Sequence, residues 1–224
     1  MGYISEQNKS IHTGTLDNDI VLLLYQNVKQ DCIELIETGY RNYLIDTDKV
    51  FSEDETIITA GLYDHIDRII DEVDLPFIVI PELHQYTTEI KKGKVNPNKA
   101  KRFDLLFTHF QYKPRFKFGV EAKLLAETDT LSKNATTLIR EYVENAGMGK
   151  FINKIYEEDG FMLGYILNGE TKKIVVKINL KITDTYTYNE RLTKHKHQYL
   201  SIYSLDGKRK ELNHIFLVLP SSLN

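Results

Sequence analysis

The stretch RFDLLFTHFQYKPRFKFGVEAKLL, residues 102–125, holds two apolar runs separated by QYKPR, with Asp104 in the first run and Glu121 and Lys123 in the second. The runs at 103–110 and 116–125 read as two strands. Pro114 between them has no amide proton to give to a ladder, so the economical expectation is a hairpin. Side chains two apart on a strand share a face. Glu121 and Lys123 therefore point the same way as Lys117 and Gly119, while Phe116, Phe118, Val120 and Ala122 point to the other side. Asp104 and Glu121 lie at similar distances from the turn centre near Lys113, which makes them approximate cross-strand neighbours.

Outward from the hairpin, residues 19–38 place Ile20, Leu23, Leu24, Val28, Cys32, Leu35 and Ile36 on one helical face. A second helix is expected over 52–73, with Ile58, Leu62, Ile66, Ile69 and Val73 as its stripe and Ser52 and Glu55 marking its start. PFIVIPELHQY (76–86) reads as a strand that Pro81 confines to an edge or interrupts. A basic loop follows at 90–102, rich in turn formers and free of acids. Residues 135–158 look helical on both sides of Gly147 and Gly149, which are expected to kink or split the helix. GFMLGYILNG (160–169) reads as a buried strand, and 172–182, 197–205 and 212–220 are three later strand candidates. The pattern predicts an α/β fold with a mixed β-sheet flanked by helices, as one domain over 1–224. Within it an N-terminal helical segment spans 1–50, a core about 52–168 and a β-rich C-terminal part 170–224.

Composition sets the outer limits. With 224 residues, 42% of them hydrophobic, the chain can bury a sizeable core, and its net charge of -3 means that affinity for a polyanion must come from local patches. Cys32 is the single cysteine and lies in an apolar helical pattern, so a buried structural thiol is expected and a disulfide framework is excluded. The polar opening MGYISEQNKSIHTG lacks the apolar core of a signal peptide, and no run approaches the roughly 20 apolar residues that span a bilayer. A cytoplasmic protein with no membrane partner is expected.

Two carboxylates brought together repel unless a cation or a proton sits between them. Magnesium prefers oxygen ligands, commonly one or two carboxylates completed by water and substrate phosphate. Asp104 and Glu121 could supply them, with Lys123 on the same face holding the attacking water, a set suited to phosphodiester hydrolysis. The competing reading is a solvated surface salt bridge on a half-exposed hairpin.

Asp104 in RFDLLF and the E-x-K of VEAK (120–123), together with the order helix, strand, strand, strand, helix, strand over about 52–168, resemble the PD-(D/E)XK nuclease superfamily of restriction-endonuclease-like proteins. Phe103 stands where that motif has proline. The resemblance implies Asp104, Glu121 and Lys123 as catalytic residues. It also implies Mg2+, with Mn2+ as a substitute, held by Asp104, Glu121 and the Ala122 carbonyl, and cleavage to 5′-phosphate and 3′-hydroxyl ends. DNA is expected ahead of RNA, endonuclease action ahead of exonuclease action, and a restriction or anti-invader role fits a small standalone enzyme. Double-strand cutting by one site per chain would favour a homodimer. The alternative is a nucleic-acid-binding or assembly module that keeps the fold without hydrolysis.

Such families often complete the metal site from the preceding helix. Glu55 is the candidate, although Ser52 and Glu55 also read as a capping box; Glu82 in PELH is the other choice. The loop cations Lys91, Lys92, Lys94, Lys99, Lys101 and Arg102 lead into the strand bearing Asp104 and suit sequence-blind phosphate contacts. His195 and His197 in KHKH read as an exposed basic loop more readily than as a transition-metal pair. Arg140, Glu141 and Lys150 are auxiliary polar candidates among which spacing does not choose.

Overall fold

The computed structural model describes residues 17–46, 52–84, 92, 96, 102–113, 115–156, 159–187 and 190–220. In chain order the elements are α1 (Asn18–Ile45), α2 (Glu55–Val73), β1 (Phe77–Pro81), β2 (Leu105–His109), β3 (Phe116–Ala126), α3 (Ala135–Val143), α4 (Gly149–Ile152), β4 (Gly160–Asn168), α5 (Thr171–Thr185), β5 (Thr193–His195), β6 (Gln198–Leu205) and β7 (Lys208–Val218). The strands form one seven-stranded sheet in the order β1-β2-β3-β4-β7-β6-β5. The hairpin is present as expected: β2 pairs antiparallel with β3 in a register that sets Leu105 opposite Val120. Two parallel pairings, β3 with β4 and β4 with β7, make the sheet mixed.

Alternation along the central strands divides the core in two. Phe118, Val120, Ala122 and Leu124 face α1 and α2, packing with Ile36, Ile58, Leu62 and Ile66. Leu125, with Met162 and Ile166 of β4, packs on the other side against Ile139, Tyr142, Ile174 and Ile178 of α3 and α5. A strand covered by helices on both faces reads as a near-continuous apolar run, as 116–126 does outside its charged positions. On the α3 side a fully buried polar chain, Tyr142 Oη to His214 Nδ1 at 2.8 Å and Ser201 Oγ to His214 Nε2 at 2.9 Å, crosses between helix and sheet. Burial holds the His214 imidazole neutral, at a pKa of about 3.

Several boundaries differ from the pattern, each for a local reason. Helix α1 runs seven residues beyond 38, and its first turns stand clear of the core, leaving Ile20 and Leu23 exposed. The capping box does not form: α2 is capped by Asp54, whose carboxylate accepts from the Thr56 and Ile57 amides, and Ser52 Oγ accepts from the Asp54 amide. Val73 at the end of its stripe is exposed. Strand β1 stops at Pro81 on the sheet edge, as a proline there permits. The 172–182 segment is helix α5, not a strand; Ile174, Val175, Ile178 and Ile182 recur at helical spacing and are buried on one face, which overrides the β-branched composition. Residues 135–158 split at the glycines as expected, because a Cβ on Gly147 would lie 2.1 Å from the Tyr142 carbonyl oxygen. Cys32 is fully buried.

Candidate active site

Asp104 sits one residue before β2, where the Leu105–Val120 register places it beside Glu121. Its amide donates to the Val120 carbonyl at 3.0 Å, and its Oδ2 accepts from the Ala122 amide at 2.7 Å. The cross-strand neighbour relation read from the turn is therefore present. Phe103, in the place of the motif's proline, is fully buried with its ring 4.0 Å from that of Tyr156. It lies over Gly119, where a Cβ would meet the ring at 2.1 Å. Gly119 thus leaves room for the aromatic anchor that precedes Asp104.

Glu121 is fully buried and would be costly to ionise alone. Three donors surround it: Lys123 Nζ at 2.9 Å and Lys150 Nζ at 2.5 Å on Oε1, and Tyr156 Oη at 2.5 Å on Oε2. Lys123 Nζ also reaches Glu55 Oε1 at 2.8 Å and the Ala122 carbonyl at 2.5 Å. One ammonium thus gathers two carboxylates and a backbone carbonyl. Burial works against the charge of Lys123, but Glu121, Glu55 and Asp104 together outweigh it and hold the pKa above the usual lysine value. Burial raises the Glu55 carboxyl, against the pull of Lys123. The half-exposed surface ion pair is thereby replaced by a buried network.

Burial, and then the neighbouring Glu121 charge, push Asp104 up to about 6, with Lys123 and the Ala122 amide opposing. Because the folded value lies above that of an unfolded aspartate, the fold holds its full stability below about pH 4 and loses some of it as pH rises through 6, a loss approaching about 3 kcal/mol. Asp104→Asn, which keeps an oxygen for the Ala122 amide, is expected to be more stable than the parent at pH 8 in EDTA by up to that amount and no different at pH 4. Urea denaturation at the two pH values checks this; a parent more stable at pH 8 would show that its attraction to Lys123 exceeds the burial cost.

The two third-carboxylate candidates separate clearly. Glu55 joins the cluster through Lys123, whereas Glu82 is exposed and pairs with Arg102 at 3.4 Å. Both line a cleft of about 400 Å³ together with Thr59, Tyr63, Arg102 and Asp104, so the buried charges open to solvent at its mouth. Among the described residues, no three histidine, cysteine or carboxylate side chains form a metal-holding group, and the oxygens gathered at Lys123 include a backbone carbonyl. Of the loop cations, Lys92 is exposed and Arg102 lies on the cleft; Lys91, Lys94, Lys99 and Lys101 lie outside the described residues. Lys150 emerges from the auxiliary candidates, while Arg140 and Glu141 are exposed elsewhere. Tyr156 had no sequence signal, being one aromatic among several after the glycine break. His195 and His197 sit exposed beside the β5–β6 turn.

Fold and site together define an α/β protein with a mixed sheet that buries a cluster of alternating charges on its central strand. No family model, curated protein or solved structure matches the chain. Among the described residues no helix is long and apolar enough to cross a membrane.

Proposed function

We propose that the chain is a magnesium-dependent nuclease of the PD-(D/E)XK kind that hydrolyses phosphodiester bonds in DNA. The observation that carries this reading is the convergence of the Glu55, Glu121 and Ala122 oxygens on the Lys123 ammonium, beside buried Asp104 at the mouth of a cleft. The donor set is all oxygen and fits a hard divalent cation, for which Asp104, Glu121, the Ala122 carbonyl and Glu55 would be the ligands. When bound, Mg2+ or Mn2+ supplies Lewis-acid charge against the charge that develops on the phosphoryl oxygens. Lys123, held above its usual pKa, keeps its proton. Its work is then to place water or phosphate by donating hydrogen bonds and to offset developing negative charge, not to take a proton. Arg102 at the cleft, with the basic loop before it, would contact the phosphate backbone.

One observation favours a second reading. Lys123 and Lys150 already neutralise Glu121, so the network is balanced without a metal, as a non-catalytic nucleic-acid-binding module would need. The test is incubation of the purified protein with supercoiled and linear DNA, single-stranded DNA and RNA, with Mg2+ or EDTA. Cleavage of DNA that EDTA abolishes is the expected result. A folded protein that retains nucleic acid on a filter but cuts none of the substrates in Mg2+ or Mn2+ would overturn the nuclease in favour of the module.

A further inference from the structure

Away from the hairpin, α1 and the outer strands β5, β6 and β7 enclose a cavity of about 370 Å³, within the size range of small-molecule sites. Side-chain amides dominate its lining: Gln26, Asn27 and Gln30 from α1, Gln198 from β6 and Asn213 from β7. Ile33 and Leu200 add apolar surface, and Glu37 and Glu211 add carboxylates. The exposed turn residues His195, Lys196 and His197 form a basic rim.

Two buried groups in this lining are poorly served by the protein itself. Asn213 is 8% exposed; its Nδ2 donates to Gln198 Oε1 at 3.0 Å, but its buried Oδ1 has no hydrogen-bond partner among the described residues. Lys29 is 6% exposed, and the nearest carboxylate to its ammonium, Glu211, stands 3.8 Å away, at the outer limit of an ion pair. Burial pushes that ammonium below its usual pKa, against the pull of Glu211 and Asp159. Buried polar groups are normally paired, because leaving one unpaired costs about 1–3 kcal/mol. An acceptor and a cation left so close together call for a ligand that offers both a donor and an acceptor.

Charge and shape narrow its class. A bare phosphate on the floor would meet Glu37 and Glu211, and a purely apolar ligand would strand the amides. A nucleobase presents flat faces to Ile33 and Leu200 and an edge of alternating donors and acceptors to asparagine, glutamine and lysine. We propose that this cavity binds one nucleotide, with the base turned inward to Lys29 and Asn213 and the phosphate on the rim at Lys196. The site is separate from the Asp104 cluster and does not depend on hydrolysis there.

The test is titration calorimetry on the full chain in EDTA, using the four deoxynucleoside 5′-monophosphates, deoxyribose 5-phosphate as the base-free probe, and a short single-stranded DNA. At least one mononucleotide is expected to bind with a Kd below about 1 mM, and deoxyribose 5-phosphate is not. Lys29→Met and Asn213→Leu are each expected to weaken binding about tenfold or more, and Lys123→Ala to leave it unchanged. Should either buried variant fail to fold, Lys196→Ala on the exposed turn and Gln198→Leu carry the same test. Binding of the strand about tenfold tighter than the mononucleotide, lost in the same variants, assigns the site to a nucleotide within a chain; equal or weaker binding of the strand assigns it to a free nucleotide. The proposal is overturned if no mononucleotide binds at about 10 mM, if the base-free probe binds as well, or if the cavity variants bind like the parent. Because metal is absent and Lys123 is a control, none of these results depends on whether the protein cuts DNA.

Discussion

Lys123→Ala is expected to lower magnesium-dependent DNA cleavage about 100- to 1,000-fold, the range found when one preorganised donor is removed from a water-poor site. The side chain is 12% exposed and its ammonium contacts Glu55, Glu121 and the Ala122 carbonyl, so no bulk water can stand in for it at equal strength. Lys123→Arg is not expected to restore the rate, because a planar fork does not superpose on a point charge gathered by three oxygens. Lys150 remains on Glu121 in both variants, which limits the structural damage and makes a folded but inactive protein the anticipated outcome. Single-turnover cleavage, with the fold checked by circular dichroism, measures this. A variant that cuts at the parental rate would remove Lys123 from the chemistry and leave it a structural counter-ion.

Glu121→Ala is expected to cost the folded protein about 3 kcal/mol or more in urea denaturation, whether or not it has an activity to lose. Removing a buried carboxylate strands its partners: Lys123 at 12% exposure and Lys150 at 20% keep their charges with less to balance them. Two features hold the loss toward the lower end of the range for broken buried pairs. Lys123 keeps Glu55, and Tyr156 Oη keeps a second acceptor in the Arg102 carbonyl at 2.6 Å. Glu121→Gln, which preserves shape and one acceptor oxygen, should lose less. A loss below about 1 kcal/mol for the alanine variant would mean that the lysines reach solvent freely, and the buried network would lose its energetic basis.

The hairpin could be read from 102–125 because both of its determinants are local. Pro114 punctuates the run, and a period of two decides which charges share a face. The element order from α2 to β4 was legible for the same reason. The error at 172–182 arose from weighing the β-branched residues of KKIVVKINLKI above their spacing; Ile174, Ile178 and Ile182 four apart were the signal for a helix. At Glu55 the S-x-x-E pattern competed with a metal-site reading, and the choice turned on Asp54, which is one residue closer to the helix and takes the cap itself.

The sequence by itself determined the α/β class, the hairpin, and the adjacency of Asp104 to Glu121, since these follow from periodicity and turn chemistry over a few neighbouring residues. Only the tertiary structure decided that Lys150 and Tyr156 clasp Glu121, that Glu55 and not Glu82 meets Lys123, and that amides from residue 26 to residue 213 line one cavity. Those contacts join segments whose separation along the chain carries no period, and they form only when helices close on both faces of a sheet whose strand order departs from chain order.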